Sequence, residues 1–212
     1  MVPLGLLAAG SYFIGAVPFS LIIGKLRGVD IRTEGSGNIG AANVWRTAGA
    51  AAGMTAFACD MGKGVLAVLL AHAGSASRPD DLLLIAVIAA VVGHVFPVYL
   101  KFKGGKGVAT GAGAMLALSP AVLLSAAGVY IIAFVCSRRT SSVGSLAGAL
   151  SFPVFLTAYY LFLPGVYAVF FKITYAYFLV TSILVIAIIV VRHSANLRKL
   201  FSGKEAGSGT AG

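Results

Sequence analysis

The stretch Gly35-Ser36-Gly37-Asn38-Ile39-Gly40-Ala41-Ala42-Asn43-Val44-Trp45-Arg46 has the make-up of an anion site. Gly35, Gly37 and Gly40 let backbone N–H groups come close to a ligand. Ser36, Asn38 and Asn43 supply side-chain donors, and Arg46 supplies a permanent charge on a planar fork that matches a phosphate. A second stretch, Lys101-Phe102-Lys103-Gly104-Gly105-Lys106-Gly107, places lysines around a glycine pair just ahead of an apolar segment. If that segment is helical, its unpaired N–H groups and the positive end of its dipole favour the same kind of ligand. Lys103 and Lys106 would clamp it, and Gly104 and Gly105 would allow close backbone approach. No Gly-Lys pair has a glycine five positions before its own glycine or a Ser or Thr after it, so nucleotide hydrolysis is not indicated.

Two further stretches extend the pattern. Arg138-Arg139-Thr140-Ser141-Ser142-Val143-Gly144-Ser145 joins two apolar runs, and its Ser142 and Ser145 either cap the following helix or touch a ligand. Arg192-His193-Ser194-Ala195-Asn196-Leu197-Arg198-Lys199-Leu200 closes the last apolar run. His193 and Asn196 are three apart and share a helical face, so they and Arg198 suit phosphate contacts as well as headgroup anchoring. His94, in Gly93-His94-Val95-Phe96-Pro97, is expected to shape this site or satisfy a carbonyl. Asp60 and Lys63 are one turn apart in an apolar run, where a lone charge is costly, and are expected to pair.

The elements that position these residues follow from composition. Of 212 residues, 59% are hydrophobic and 10% charged, against about a quarter charged in soluble domains, so the chain is all-α and crosses a membrane several times. A net charge of +10 in such a chain marks the cytoplasmic side and its anionic lipids, and nucleic acid is not an expected partner. Cys59 and Cys136 have no partner at metal-ligand spacing and are expected only to pack; no metal is implied. Apolar runs cover about Val2 to Ile23, Gly49 to Ala71, Leu82 to Leu100, Val143 to Leu163 and Ile173 to Val191. The stretch from Gly107 to Cys136 would make a helix of about 45 Å, too long for a hydrocarbon layer of about 30 Å, and Ser119-Pro120 interrupts it. Two segments there give seven in all.

Charge tests this count. With seven segments and the N-terminus outside, every Lys and Arg falls on the cytoplasmic side except Arg78, Lys172 and the intramembrane Lys63; with six, the basic residues divide almost evenly. A re-entrant pair would preserve the same parity. All four polar stretches then share the cytoplasmic face, as does the C-terminus. Residues 1–205 read as one membrane-embedded domain, and 206–212 as a flexible tail. The pairs Gly49 with Gly53, Gly107 with Gly111 and Gly144 with Gly148 are expected to bring helices close.

In order along the chain, Gly-Ser-Gly-Asn-Ile-Gly-Ala-Ala-Asn-Val-Trp-Arg, Lys-Gly-Gly-Lys-Gly-Val-Ala-Thr and Arg-His-Ser-Ala-Asn-Leu-Arg-Lys-Leu resemble the motifs of the bacterial acyl-phosphate:glycerol-3-phosphate acyltransferase family. The resemblance runs from the first span to Glu205. It departs at Ala42, where the family has Thr, and at Ser194-Ala195, where Arg-Glu is frequent. It implies a seven-helix enzyme of the bacterial inner membrane, without a cofactor, that moves an acyl group from acyl phosphate to the sn-1 hydroxyl of glycerol 3-phosphate. Lysophosphatidic acid and phosphate would be the products, in the first step of phospholipid synthesis. The partners implied are the two substrates and membrane lipid, with room for a soluble enzyme that supplies acyl phosphate. Lys106, Ser36 and Asn38 would hold the acyl phosphate, with glycine backbone donors. Arg46, His193, Asn196 and Ser142 or Ser145 would hold glycerol 3-phosphate. The other glycerol-phosphate acyltransferase class has Asp five positions after a catalytic His; after His72, His94 and His193 this chain has Ser77, Tyr99 and Arg198. A transporter of phosphate or an organophosphate is the rival reading, but such sites sit near the midplane between repeats, and no repeat is evident.

Overall fold

The computed structural model describes residues 3–74, 79–166 and 173–201. Arg78, Lys172, Lys204 and the 206–212 tail lie outside these residues. The first apolar run is a broken helix, α1 (Leu4–Ala16) and α2 (Phe19–Leu26). Pro18 between them has no N–H to continue the ladder. The carbonyls freed at the break, those of Gly15 and Val17, accept hydrogen bonds from Lys63 Nζ at 3.0 and 2.9 Å. A buried lysine thus repairs a helix break.

A short helix α3 (Ala41–Ala48) turns at Gly49, whose φ of 90° suits glycine, into the long α4 (Ala50–Ala73). Then come α5 (Pro79–Val95), a 3₁₀ turn at Val98–Leu100, α6 (Val108–Leu118), α7 (Pro120–Cys136), α8 (Ser141–Phe162), α9 (Tyr175–Arg192) and α10 (Ser194–Phe201). Five helical stretches are long and apolar enough to cross a membrane: Leu4–Leu26, Ala50–Ala73, Asp80–Leu100, Ser141–Phe162 and Tyr175–Arg192. Ser119, extended at φ −152°, and Pro120 at the start of α7 split the Gly107 to Cys136 stretch into two helices. Their 11 and 17 residues correspond to about 16 and 25 Å. α6 alone is shorter than a hydrocarbon layer.

Side-chain neighbours give the directions. A Cβ at Gly111 would touch Val185, and Gly107 faces Ile189, so α6 runs antiparallel to α9. Tyr130 packs on Gly144 and Gly148, Phe134 on Gly144, and Ser125 reaches Tyr159, so α7 runs antiparallel to α8. Phe152 meets Phe178, and Thr157 bonds Tyr175, so α8 and α9 are antiparallel too. α6 therefore leaves the end of the bundle where α9 finishes and α7 returns to it.

α5 is the spine of the core: Ala86, Val87, Ala90, Val91 and Val95 are fully buried. Large apolar side chains on other helices, including Leu124, Ile131, Ile132, Val154, Leu161 and Val191, stand exposed instead. Such a surface belongs in lipid rather than in water. A second, smaller core of Leu21, Ile31, Ile39, Val44, Ala52 and Ala56 pins the segment after α2 and α3 onto α4. That small core sets where Gly35 to Arg46 sit.

Candidate active site

Asn43 organises the first polar stretch from behind. It is fully buried, its Nδ2 donates to the carbonyls of Ile31 (2.8 Å) and Glu34 (3.0 Å), and its Oδ1 accepts from the Ser36 N–H at 2.9 Å. Gly35, at φ 61°, lies so close to this amide that a Cβ would collide with Asn43 Oδ1. Glycine is needed there for both conformation and space. Asp30 and Arg32 brace the loop entrance through a forked pair, and the guanidinium holds the Asp30 carboxyl well below the usual carboxylate range. The product of this scaffold is Arg46 Nη2 donating to Ser36 Oγ at 3.1 Å. Arginine and serine are presented together.

The second stretch is seated on the end of α5. Gly104 N–H donates to the Val95 carbonyl and Gly105 N–H to the His94 carbonyl, both at 3.1 Å. A Cβ at Gly104 would strike the His94 carbonyl, and one at Gly105 the His94 ring. The close approach these glycines permit is thus to His94 rather than to a ligand. Arg192 donates to the Gly104 carbonyl (3.2 Å) from α9 and stacks its guanidinium over Phe96, 5.6 Å from the ring centre. Lys106, two residues before α6, donates to Asn196 Oδ1 at 2.5 Å.

The remaining groups come from α8 and α9. Ser142 and Ser145 sit inside the first turns of α8, one buried and one half-buried, while Thr140 holds the N-cap position and bonds back to the Ser137 carbonyl. The two serine hydroxyls do not cap the helix. His193 follows α9, 1% exposed, and its Nδ1 donates to the Ile189 carbonyl at 2.8 Å. Its orienting partner is a neutral carbonyl rather than a carboxylate.

These groups line one cavity of about 790 Å³. Gly35, Ser36, Asn38, Gly40, Arg46, His94, Lys106, Ser142, Ser145, His193 and Asn196 all face it. Its other wall is apolar: Phe57, Met115, Leu123, Ala126, Tyr130, Phe152, Val185, Ile186 and Ile189. An anion fits the first wall and a hydrocarbon chain the second. Gly37, Asn43, Lys103, Gly104, Gly105 and Arg198, candidates by residue type, are not among the lining residues. Lys103 and Arg198 are exposed, and Asn43 and the glycine pair act as scaffold. The lining also includes Asp60, Arg139, Ser141 and Lys199, which the spacing arguments did not select. Arg138 and Arg139 sit in left-handed conformations, φ 54° and 66°, strain of a kind that gathers at functional sites. The double arginine was the available signal for Arg139.

Residues 5–203 match the glycerol-3-phosphate acyltransferase family. Glycerol-3-phosphate acyltransferase of Trichlorobacter lovleyi is 39% identical over 93% of this chain and 94% of its own length. The enzyme of the same name from Desulforamulus reducens is 42% identical over 92% of this chain and 90% of its own. Among solved structures, PlsY (YgiH), described as an integral membrane glycerol 3-phosphate acyltransferase, superposes in its glycerol 3-phosphate form with a TM-score of 0.82. It is 34% identical, covering 98% of this chain and 96% of that one. Its lysophosphatidic acid form gives 0.81. The motifs, the helical membrane architecture and these matches agree: the chain is a multi-pass membrane protein and belongs to the glycerol-3-phosphate acyltransferase family.

Proposed function

We propose that this protein transfers an acyl group from acyl phosphate to the sn-1 hydroxyl of glycerol 3-phosphate, at the cytoplasmic face of a bacterial inner membrane. The observation that carries the reading is one cavity whose lining combines basic and hydroxyl groups with a set of apolar side chains. Lys106, Ser36 and Asn38, with backbone donors around Gly35 and Gly107, hold the acyl phosphate; Arg46, His193, Asn196 and Ser142 or Ser145 hold glycerol 3-phosphate. The Arg46–Ser36 and Lys106–Asn196 contacts tie the two groups together. An acyl phosphate is already activated, so binding both anions in attack geometry supplies most of what the reaction needs. The hydroxyl oxygen forms an ester bond to the acyl carbon, the bond from that carbon to the phosphate oxygen breaks, and the hydroxyl proton passes to a substrate phosphate oxygen. Positive charge near the leaving phosphate stabilises it. Seven segments, with α6 and α7 as the pair between Lys106 and Arg138, keep all four polar stretches on one side.

Purified protein given acyl phosphate and glycerol 3-phosphate should produce lysophosphatidic acid, detected by mass spectrometry, only when both are present. Product from an acyl thioester instead would overturn the donor assignment. Uptake of phosphate into liposomes without any lipid product would favour a transporter.

A further inference from the structure

One buried ionic cluster lies beside the cavity, and the reaction as described makes no use of it. Asp60 and Lys63 are 1% and 3% exposed, with Lys63 Nζ 2.7 Å from Asp60 Oδ1. Ser20 Oγ donates to Asp60 Oδ2 at 2.7 Å. Lys63 Nζ also reaches the Gly15 and Val17 carbonyls and stands 3.0 Å from His94 Nδ1. An ammonium has three protons and no lone pair. Asp60 Oδ1 neutralises it at 2.7 Å and lies 3.7 Å from His94 Nδ1. An N–H on Nδ1 would point at the ammonium 3.0 Å away, whereas a lone pair there accepts from it, so the geometry favours Nδ1 as the acceptor and Nε2 as the ring nitrogen that carries hydrogen.

That Nε2 edge is the one pressed against Gly105, and the His94 ring lines the cavity near Lys106. We propose that Asp60 and Lys63 are positioning residues: they fix His94 with Nδ1 as acceptor and Nε2–H against Gly105, so that the ring supports the Gly104 to Lys106 turn and with it the placement of Lys106. The proposal rests on the reading that this turn serves the acyl phosphate.

The test uses full-length protein in detergent with ring-labelled ¹⁵N-histidine. The chain has 3 histidines, and His94→Gln identifies the His94 signals by their loss. Nitrogen shifts of wild-type protein should show the neutral Nε2–H form at His94. The double variant Asp60→Asn with Lys63→Met removes both charges together, so no buried ion is left alone. It should lose that tautomer preference and raise KM for acyl phosphate about tenfold, the scale of one hydrogen bond, with KM for glycerol 3-phosphate nearly unchanged. His94→Phe, which takes the acceptor away from Lys63, should lose more acyl phosphate affinity than His94→Gln, whose amide oxygen can replace it. A wild-type Nδ1–H form would overturn the proposal, whether or not the double variant folds. So would a folded double variant with unchanged donor KM, or with equal change in both KM values, which would mark the pair as merely structural. If acyl phosphate proves not to be the donor, the reading of the reaction fails while the tautomer measurement still stands by itself.

Discussion

Residues of similar type do different work in this site. Ser36, Asn38, Arg46, Lys106, His193 and Asn196 face the cavity, whereas Asn43, in the same stretch as Asn38, spends its whole amide on the loop. Arg46→Ala and Lys106→Ala should each cut kcat/KM by about 10²–10³, as loss of a charged donor to developing phosphate charge does. Both side chains are at least partly exposed, so melting temperatures should hold; near-normal rates would remove the residue from the mechanism. Asn43→Ala should behave in the opposite way. Losing three hydrogen bonds costs about 2–4 kcal/mol, read as a lower melting temperature, with activity falling because Ser36 loses its support. The sequence showed which residue types could bind an anion. It did not separate binder from scaffold, because that depends on which way each amide points after the chain from Ile31 to Val44 packs.

At the scale of elements, the helices touch through most of the glycines that small-residue spacing suggests and through others that it misses. Gly144 and Gly148 do face Tyr130, and Gly53 lies against Trp45, but Gly49 faces open space. The tightest backbone approaches are elsewhere: a Cβ at Gly64 would collide with the Thr110 carbonyl, and one at Gly113 with the Met61 carbonyl. These two glycines let α4 and α6 cross in contact. Gly113→Ala should therefore destabilise the protein by about 1–3 kcal/mol and disturb Lys106 at the head of the same helix. Gly62→Ala, next door in α4 with nothing near its added Cβ, should be neutral or gain up to about 1 kcal/mol from helix propensity. Thermal melts of the two variants decide the matter; equal effects would mean the α4–α6 crossing is not tight. A spacing rule finds glycines that are four apart on one helix, but a crossing point is set by two helices.

For the molecule as a whole, the polar ends of α5, α6, α8 and α9 and the segment before α4 gather around one cavity, and the opposite end closes by Asp80 of α5 accepting from Thr174 ahead of α9. If the polar end is cytoplasmic, single cysteines placed at Lys103 and at Gly165, with Cys59 and Cys136 changed to Ser, should react with an impermeant maleimide from opposite sides. Lys103→Cys should label in inverted vesicles and Gly165→Cys in intact cells. Labelling of both from one side would refute the proposed seven-segment topology. The short α6 does not threaten that arrangement, because α6 and α7 leave and return to the same end whatever depth Ser119 reaches.

The sequence by itself determined the helical membrane class, the break at Ser119-Pro120 and the pairing of Asp60 with Lys63. Each of these follows from composition, from a proline or from near neighbours along the chain. Tertiary structure alone decided that Lys106 meets Asn196, that Gly104 and Gly105 make room for His94, and that Lys63 serves the carbonyls of a broken helix 48 and 46 residues away. Those contacts depend on how separate helices cross, and nothing local in the chain encodes a crossing.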